Sequence, residues 1–290
     1  MNLNTADLKS KLQGEEIVIA PGIYDALSAS IAHQSGFDTV YLSGASIAYT
    51  KLGRPDIGLT GSSEVADTLR YIRERNDVSV IVDGDTGFGN AINTARTVRM
   101  FEAAGANAIQ LEDQTYPKRC GHLRGKTLVS KGEMAGKISA AVDARRSENT
   151  LIIGRTDGLA VENLDATLER AHAFKDAGAD VLFIEGIRSD EEISAILKEF
   201  KGKIPLMINM VEGGDTPIQD AETLQKLGFS MVIFPGALVR AYTHMAQRFF
   251  STLKQDGTTD AFRPNMLDFK QLNEFLGTEK ILEQGKKYEF

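Results

Sequence analysis

Two stretches concentrate the residue types that chemistry needs. "VIVDGDTGFGN" (80–90) ends an aliphatic run in two carboxylates, Asp83 and Asp85. "YPKRCGHLRGK" (116–126) surrounds the only cysteine, Cys120, with Lys118, Arg119, His122, Arg124 and Lys126. Carboxylates two apart on a continuous strand face the same way. With Asp56 in "LGRPDIGL" and Glu112 at the end of "AIQLE" they form an acidic set with few compensating cations. Such a set is costly unless a cation joins it, and all-oxygen donors suit Mg²⁺ or Mn²⁺ rather than zinc. Mg²⁺ takes only one or two carboxylates directly, so some of these acids are expected to act through water. Cys120 is out of place for a structural cysteine, which normally sits among aliphatics. A thiol, with an ordinary pKa of about 8.5, is a competent proton donor near neutrality.

Other polar residues recur at similar places. Tyr41, Ser43, Gly44 and Ala45 end "VYLSGA"; Arg155 and Asp157 follow "LIIG"; Glu185 follows "VLFI"; Asn209, with Glu212 just beyond, follows "LMI". The Arg155 fork suits a carboxylate or phosphonate, and an ion pair with Glu112 or Glu185 is compatible with that role. Ser43 and Asn209 supply neutral groups for further oxygens. Asp113 and Asp157, each close behind a main candidate, read equally well as helix N-caps.

These residues need strands to position them. Four segments resemble one another: "SGFDTVYLSG" (35–44), "AGANAIQLED" (104–113), "AGADVLFIEG" (177–186) and "LGFSMVIFPG" (227–236). In each a glycine closes a helical pattern (Gly36, Gly105, Gly178, Gly228), as a left-handed C-cap requires, and an aliphatic run follows. Four more such runs lie between them at 16–22, 78–85, 150–157 and 204–210. Amphipathic stretches such as 93–106 and 164–179 separate them. Eight strands alternating with helices imply a closed parallel (β/α)₈ TIM-type barrel, whose chemistry sits at the carboxyl ends of the strands. An open doubly wound sheet is the alternative, but no glycine-rich dinucleotide fingerprint follows the first strand. "DTGFGNA" lacks the lysine of a P-loop and reads as a loop letting backbone approach a ligand. No linker divides the barrel, so residues 1–290 read as one domain, with extra C-terminal helices from about 251.

Roughly twenty residues separate Glu112 from the next helical pattern, against about 2–6 for an ordinary βα loop. Cys120 therefore sits on a candidate lid, with Gly121 and Gly125 easing its motion. A net charge of −7 argues against nucleic-acid or membrane-surface partners. The lone cysteine excludes an internal disulfide and fits a reducing compartment. With neither a signal-type segment nor a membrane-length apolar run, a cytoplasmic enzyme is the expectation.

The motifs "APGIYDALSA" (20–29), "YLSGAS" (41–46), "GRPDIGL" (53–59), "DGDTGFGNA" (83–91), "LEDQTYPKRCGH" (111–122), "GRTD" (154–157) and "NMVEGG" (209–214) span nearly the whole chain. Together they resemble the isocitrate lyase/phosphoenolpyruvate mutase superfamily. The resemblance implies a (β/α)₈ barrel, Mg²⁺ dependence, small anionic 2-oxo or 2-hydroxy acid ligands, and a homotetramer built from dimers that swap C-terminal helices. It implies Asp83 as the principal direct metal ligand, with Asp56, Asp85 and Glu112 holding metal-bound water. It further implies that Tyr41, Ser43, Gly44, Ala45, Arg155 and Asn209 contact the pyruvate-like part of the ligand. Cys120 would be the catalytic acid, Lys118, Arg119, Gly121 and His122 would complete its loop, and Glu185 would lie deeper in the polar network.

The reaction so implied cleaves a 2-hydroxy dicarboxylate of the 2,3-dimethylmalate or 2-methylisocitrate type to pyruvate and a short carboxylic acid. Tyr41 is a candidate for activating the hydroxyl, and Cys120 for protonating the departing enediolate. "NMVEGG" departs from the "EFG" pattern associated with methylisocitrate lyases, which favours a smaller dicarboxylate or oxaloacetate hydrolysis. A phosphorylmutase acting on carboxyvinyl-carboxyphosphonate or a related phosphonate also fits, because such enzymes share a similar cysteine loop.

Overall fold

Strands form where the eight aliphatic runs lie: β1 Val18–Ile23, β2 Thr39–Leu42, β3 Ser79–Asp83, β4 Ala108–Glu112, β5 Leu151–Thr156, β6 Val181–Ile184, β7 Leu206–Asn209 and β8 Met231–Phe234. They belong to a computed structural model that describes residues 6–121 and 123–289; His122 lies outside the described residues. All pairs are parallel and follow chain order, and β1 returns to β8. The sheet is therefore a closed barrel, as the eightfold pattern predicts, and the open doubly wound alternative falls.

The helices between the strands start and stop where local chemistry dictates. Asn90 caps the helix Ala91–Ala104 by accepting from the backbone N–H of Ile92 at 3.0 Å and of Asn93 at 3.2 Å. Gly36, Gly105, Gly178 and Gly228 take φ of 95°, 102°, 100° and 119°. Each reverses the chain in the left-handed region that glycine enters without a Cβ penalty, as the repeat predicts.

Strand parity sorts the residues. Val40, Leu42, Val80, Val82, Ile109 and Leu111 face outward and share one buried cluster with helix residues such as Leu69, Phe101 and Ile138. The other parity faces inward, where Val18, Ala20, Tyr41, Ile81, Ala108, Leu151, Ile153, Val181 and Phe183 form a second cluster. Leu8 and Leu12, from the helix Ala6–Leu12, join that inner cluster. Following the inward parity toward the strand ends, the side chains change from aliphatic to polar: Ser43, Asp83, Gln110, Glu112, Arg155, Glu185 and Asn209, all buried. Register sets Asp83 beside Gln110 and Glu112 beside Arg155.

Residues 1–239 and 240–290 form two compact units. The second holds most of the helix Ala237–Asp256 and the helices Phe269–Leu276 and Thr278–Lys286. The expected helical tail is present. The structure does not show an exchange of helices between subunits.

Candidate active site

The acidic side of the site gathers on β3, its following turn, and the loop after β2. Asp83 Oδ2 accepts from the Gly44 backbone N–H at 3.3 Å, and Oδ1 from the Gln110 amide at 3.3 Å and the Asp85 backbone N–H at 3.2 Å. A Cβ on Gly44 would lie 3.2 Å from Asp83 Oδ2 and 3.4 Å from Asp85 Oδ1, so glycine lets the backbone come this close. Asp85 does not share a strand face with Asp83 as the two-residue spacing predicts. β3 ends at Asp83, and Asp85 takes a left-handed φ of 45°. The turn is fixed by Gly84 N–H donating to the Gln110 carbonyl at 2.9 Å and Glu112 N–H to the Asp85 carbonyl at 2.9 Å. The "DTGFGNA" turn also packs back on the helix Ala91–Ala104. Gly87 faces the helix, where a Cβ would stand 2.3 Å from Thr94 Oγ1.

Lys118, from the loop after β4, enters this cluster. Its Nζ lies 2.7 and 2.8 Å from the two carboxylate oxygens of Asp56 and 2.7 Å from Asp85 Oδ1. Glu112 Oε1 is buried without a hydrogen-bond partner.

Arg155 forms the cationic side. It donates to Asp157 from Nε at 3.0 Å and from Nη2 at 3.2 Å, and Nε lies 3.3 Å from Glu112 Oε2. The Phe183 ring lies 5.2 Å from its guanidinium carbon. Asn209 donates to both carboxylate oxygens of Glu185, at 3.3 and 3.2 Å, and its own Oδ1 is buried without a partner. Ser43 caps the short helix Gly44–Ile47, its Oγ accepting from the Ser46 N–H at 3.2 Å. Ala45, in the same turn, is half-buried.

The loop after β4 folds over both sides. Thr115 N–H donates to the Thr127 carbonyl at 2.8 Å, closing its neck. Gln114 binds Arg119 twice, at 2.9 and 2.8 Å. Tyr116 Oη donates to the Gly58 carbonyl at 3.0 Å, and Cys120 N–H to the Asp56 carbonyl at 3.1 Å. Gly121 sits directly on the cationic side, where a Cβ would be 2.6 Å from Arg155 Nη2 and 2.8 Å from Glu185 Oε1. Half-buried Cys120 is thus carried between Lys118, reaching the acidic cluster, and Gly121, resting on Arg155 and Glu185.

Electrostatics assign the charge states. Burial, opposed by Lys118 and reinforced by Asp83 and Asp56, raises Asp85 to about 7. Burial raises Glu112 well above the ordinary value despite Arg155 and Lys118. Asp157 is the reverse: against its burial, Arg155 and Lys126 hold it down at about 2. Tyr41 is buried and raised well above 10.0, by burial and then by Asp83, and its hydroxyl donates to Gln110 Oε1 at 3.0 Å. It is a neutral phenol holding Gln110.

Among the described residues no three acidic, imidazole or thiol groups converge as a ready metal cage. The donor set nonetheless fits a hard cation held through water. Asp56 and Asp85 share one ammonium, Asp83 is held only by amide N–H groups, and Glu112 Oε1 has no donor. Excess negative charge in a buried site must be relieved by protons or by a cation.

Residues 8–254 match the family model described as phosphoenolpyruvate phosphomutase. The chain belongs to this family. A 2,3-dimethylmalate lyase of Eubacterium barkeri is 42% identical over 287 residues, 99% of each chain. A 2-methylisocitrate lyase of Aeropyrum pernix is 44% identical over 251 residues, 87% of this chain and 80% of that protein. The crystal structure of a 2,3-dimethylmalate lyase, described as a PEP mutase/isocitrate lyase superfamily member, matches with a TM-score of 0.91 at 33% identity, covering 98% of this chain and 95% of that one. The resemblance read from the motifs therefore holds for fold and family.

Within this phosphoenolpyruvate phosphomutase fold, Gln110 and the burial of Lys126 escaped the sequence reading, while Asp157 and Asp113, left open there between site residue and helix cap, are partners of the site's side chains. Gln110 joins Tyr41 to Asp83, and its signal was a lone amide on the inward parity of β4, two before Glu112. Asp157 anchors Arg155 and makes no side-chain cap. Asp113 likewise accepts from Thr156 Oγ1 at 2.7 Å and the Asp157 N–H at 3.0 Å. Lys126 binds Asp157 at 2.7 Å, and nothing in "LRGK" marks that lysine as buried.

Proposed function

We propose that the chain is a Mg²⁺-dependent carbon–carbon lyase. Its substrate is a 2-hydroxy dicarboxylate of the 2,3-dimethylmalate type, cleaved between C2 and C3 to pyruvate and a short carboxylic acid. The observation carrying this reading is the seat of Cys120, between a lysine over the carboxylates and a glycine pressed on Arg155 and Glu185. The 2,3-dimethylmalate lyase relative, matching end to end, supports the substrate class.

Asp83 would hold the metal directly, with Asp56, Asp85 and Glu112 acting through water. When bound, Mg²⁺ would lower the energy of the negative charge that develops on the pyruvate-like oxygens. Arg155, held in place by Asp157, and the Gly44 backbone would orient the carboxylate of that half, with Ser43 and Asn209 beside it. The hydroxyl proton passes to a carboxylate of the acidic floor while Tyr41 fixes Gln110. Cys120 then protonates the departing carbon, with Lys118 and His122 completing its loop. Gly121, backed by Glu185, excludes water from the carbanion.

No described helix is long and apolar enough to cross a membrane, and the single cysteine suits the cytoplasm. Phe250, Phe269, Ile281 and Leu282 are exposed in the second unit, which supports assembly into a homotetramer of helix-swapped dimers around one barrel domain per chain.

The test is a panel of 2-hydroxy dicarboxylates, oxaloacetate and phosphonopyruvate with Mg²⁺, followed by pyruvate or oxalate release and by phosphorus NMR. Pyruvate from a dicarboxylate is expected, and Cys120→Ser should nearly abolish it while retaining Mg²⁺–pyruvate binding. Full turnover by that variant sinks the assignment. A new phosphorus resonance without dicarboxylate cleavage would make it a phosphorylmutase, and oxalate release alone an oxaloacetate hydrolase.

A further inference from the structure

The loop over the site is tied down at two ends, and only one tie belongs to the machinery described above. Lys118 reaches Asp56 and Asp85 on the metal side. At the other end Lys126 is buried although its neighbours Arg124, Gly125 and Thr127 are exposed. An ammonium withdrawn from water is costly unless paired. Lys126 Nζ lies 2.7 Å from Asp157 Oδ1, and it also donates to the Gly121 carbonyl. The same lysine therefore binds the loop tip that rests on Arg155 and the carboxylate that orients Arg155.

Asp157 divides its oxygens in a way that makes this connection specific. Oδ2 accepts from Arg155 Nε, and Oδ1 is shared between Arg155 Nη2 at 3.2 Å and Lys126. The Asp157 backbone is fixed from outside, its N–H donating to Asp113 Oδ1 at 3.0 Å. Asp113 in turn accepts from Thr156 Oγ1 and lies 3.4 Å from Arg170. Asp157 is thus a rigid post, and Lys126 is the movable partner. Cavities of about 620 and 680 Å³ lie along this loop, and Lys126 lines both. The segment around it has room to lift once the ion pair is broken.

We infer that Lys126 and Asp157 are positioning residues, a latch coupling closure of the 113–130 loop to the seating of Arg155 and so to the placement of Cys120. Closure brings Lys126 onto Asp157, draws Gly121 down through its carbonyl, and holds Cys120 over the substrate. Without Lys126, Asp157 keeps Arg155 as partner, so no buried charge is orphaned and the barrel stays folded. The loop then stays anchored on the acidic side, through Lys118, Tyr116 on Gly58 and Cys120 N–H on Asp56, with the end nearest Arg155 loose.

The kinetic part of this inference rests on the lyase reading; the latch itself does not. The test compares the full-length wild-type chain with Lys126→Met and Lys126→Arg, each with Mg²⁺. An arginine-specific protease reports loop closure by cutting after Arg119 and Arg124, both exposed, with fragments resolved by mass so that any cut at position 126 in Lys126→Arg is scored apart. Lys126→Met should be cut faster, and its kcat should fall by about 10- to 100-fold, the loss expected for one charge-assisted hydrogen bond. The inhibition constant of oxalate, a dianion the size of the pyruvate half, should change little. Lys126→Arg should recover most of the protection and most of kcat.

Unchanged cleavage and kcat in Lys126→Met would overturn the latch. So would a loss that follows the thermal midpoint and is equally severe in Lys126→Arg, because that is a merely structural role. If the wild type cleaves no dicarboxylate, the lyase reading fails, while the proteolysis comparison still decides the latch.

Discussion

Gly121→Ala places one methyl group at the contact between loop and site. Gly121 is not in the left-handed region, so alanine fits its backbone and the effect is steric. The added Cβ would stand 2.6 Å from Arg155 Nη2, 2.8 Å from Glu185 Oε1 and 2.9 Å from Glu185 Cγ. Ordinary contacts begin near 3.4 Å, so a displacement of about 0.8 Å is needed. Arg155 cannot swing aside, because two hydrogen bonds to Asp157 fix its fork, and Glu185 is held by Asn209. The loop must therefore rise.

Overpacking of this kind costs about 1–3 kcal/mol. At about 1.4 kcal/mol per tenfold, the closed population and kcat/KM should drop about 5- to 150-fold. The loop yields rather than the barrel, so the thermal midpoint should barely move. Pyruvate release coupled to lactate dehydrogenase, run over a range of substrate concentrations beside a thermal melt, reads both quantities. An unchanged kcat/KM with Mg²⁺ would refute the closed geometry. So would a loss explained wholly by unfolding.

Gly136→Ala is the natural control, and it should raise stability. Gly136 is exposed inside the helix Lys131–Ala144, and an added Cβ meets nothing within 4 Å. A gain of about 0.5–1 kcal/mol in urea unfolding is expected, with unchanged turnover. Acid should weaken the fold through Asp157. Its folded pKa is depressed from 3.8 to about 2, so its contribution is present above 3.8 and disappears as pH falls through about 2. That contribution is worth about 2 kcal/mol. The stability gap between wild type and Asp157→Asn, followed by urea unfolding, should shrink by that amount from pH 5 to pH 2. A gap that stays constant with pH would contradict the assigned ion pairs.

Much of this protein was legible along the chain because it depends on local rules. Short aliphatic runs marked eight strands, and glycine at the helix ends marked four of their connections. Position at the ends of those runs also picked out Asp83, Glu112, Arg155 and Asn209, which strand alternation turns inward once the barrel closes. The failure came where the chain left the strand. Asp85 reaches the site through a left-handed turn.

Cys120 stood out by its neighbours in the sequence, but only the tertiary structure decided what they do. Lys118 and Lys126 read alike as loop cations, yet one enters an acidic cluster 62 residues away in the chain, and the other binds Asp157, 31 residues away. Asp157 could equally have been a helix cap, and the fold made it the anchor of Arg155. The sequence by itself determined the barrel, the rim of polar side chains and the family. Which charges meet there depends on distances between strands that closure of the barrel brings together, and no local pattern encodes them.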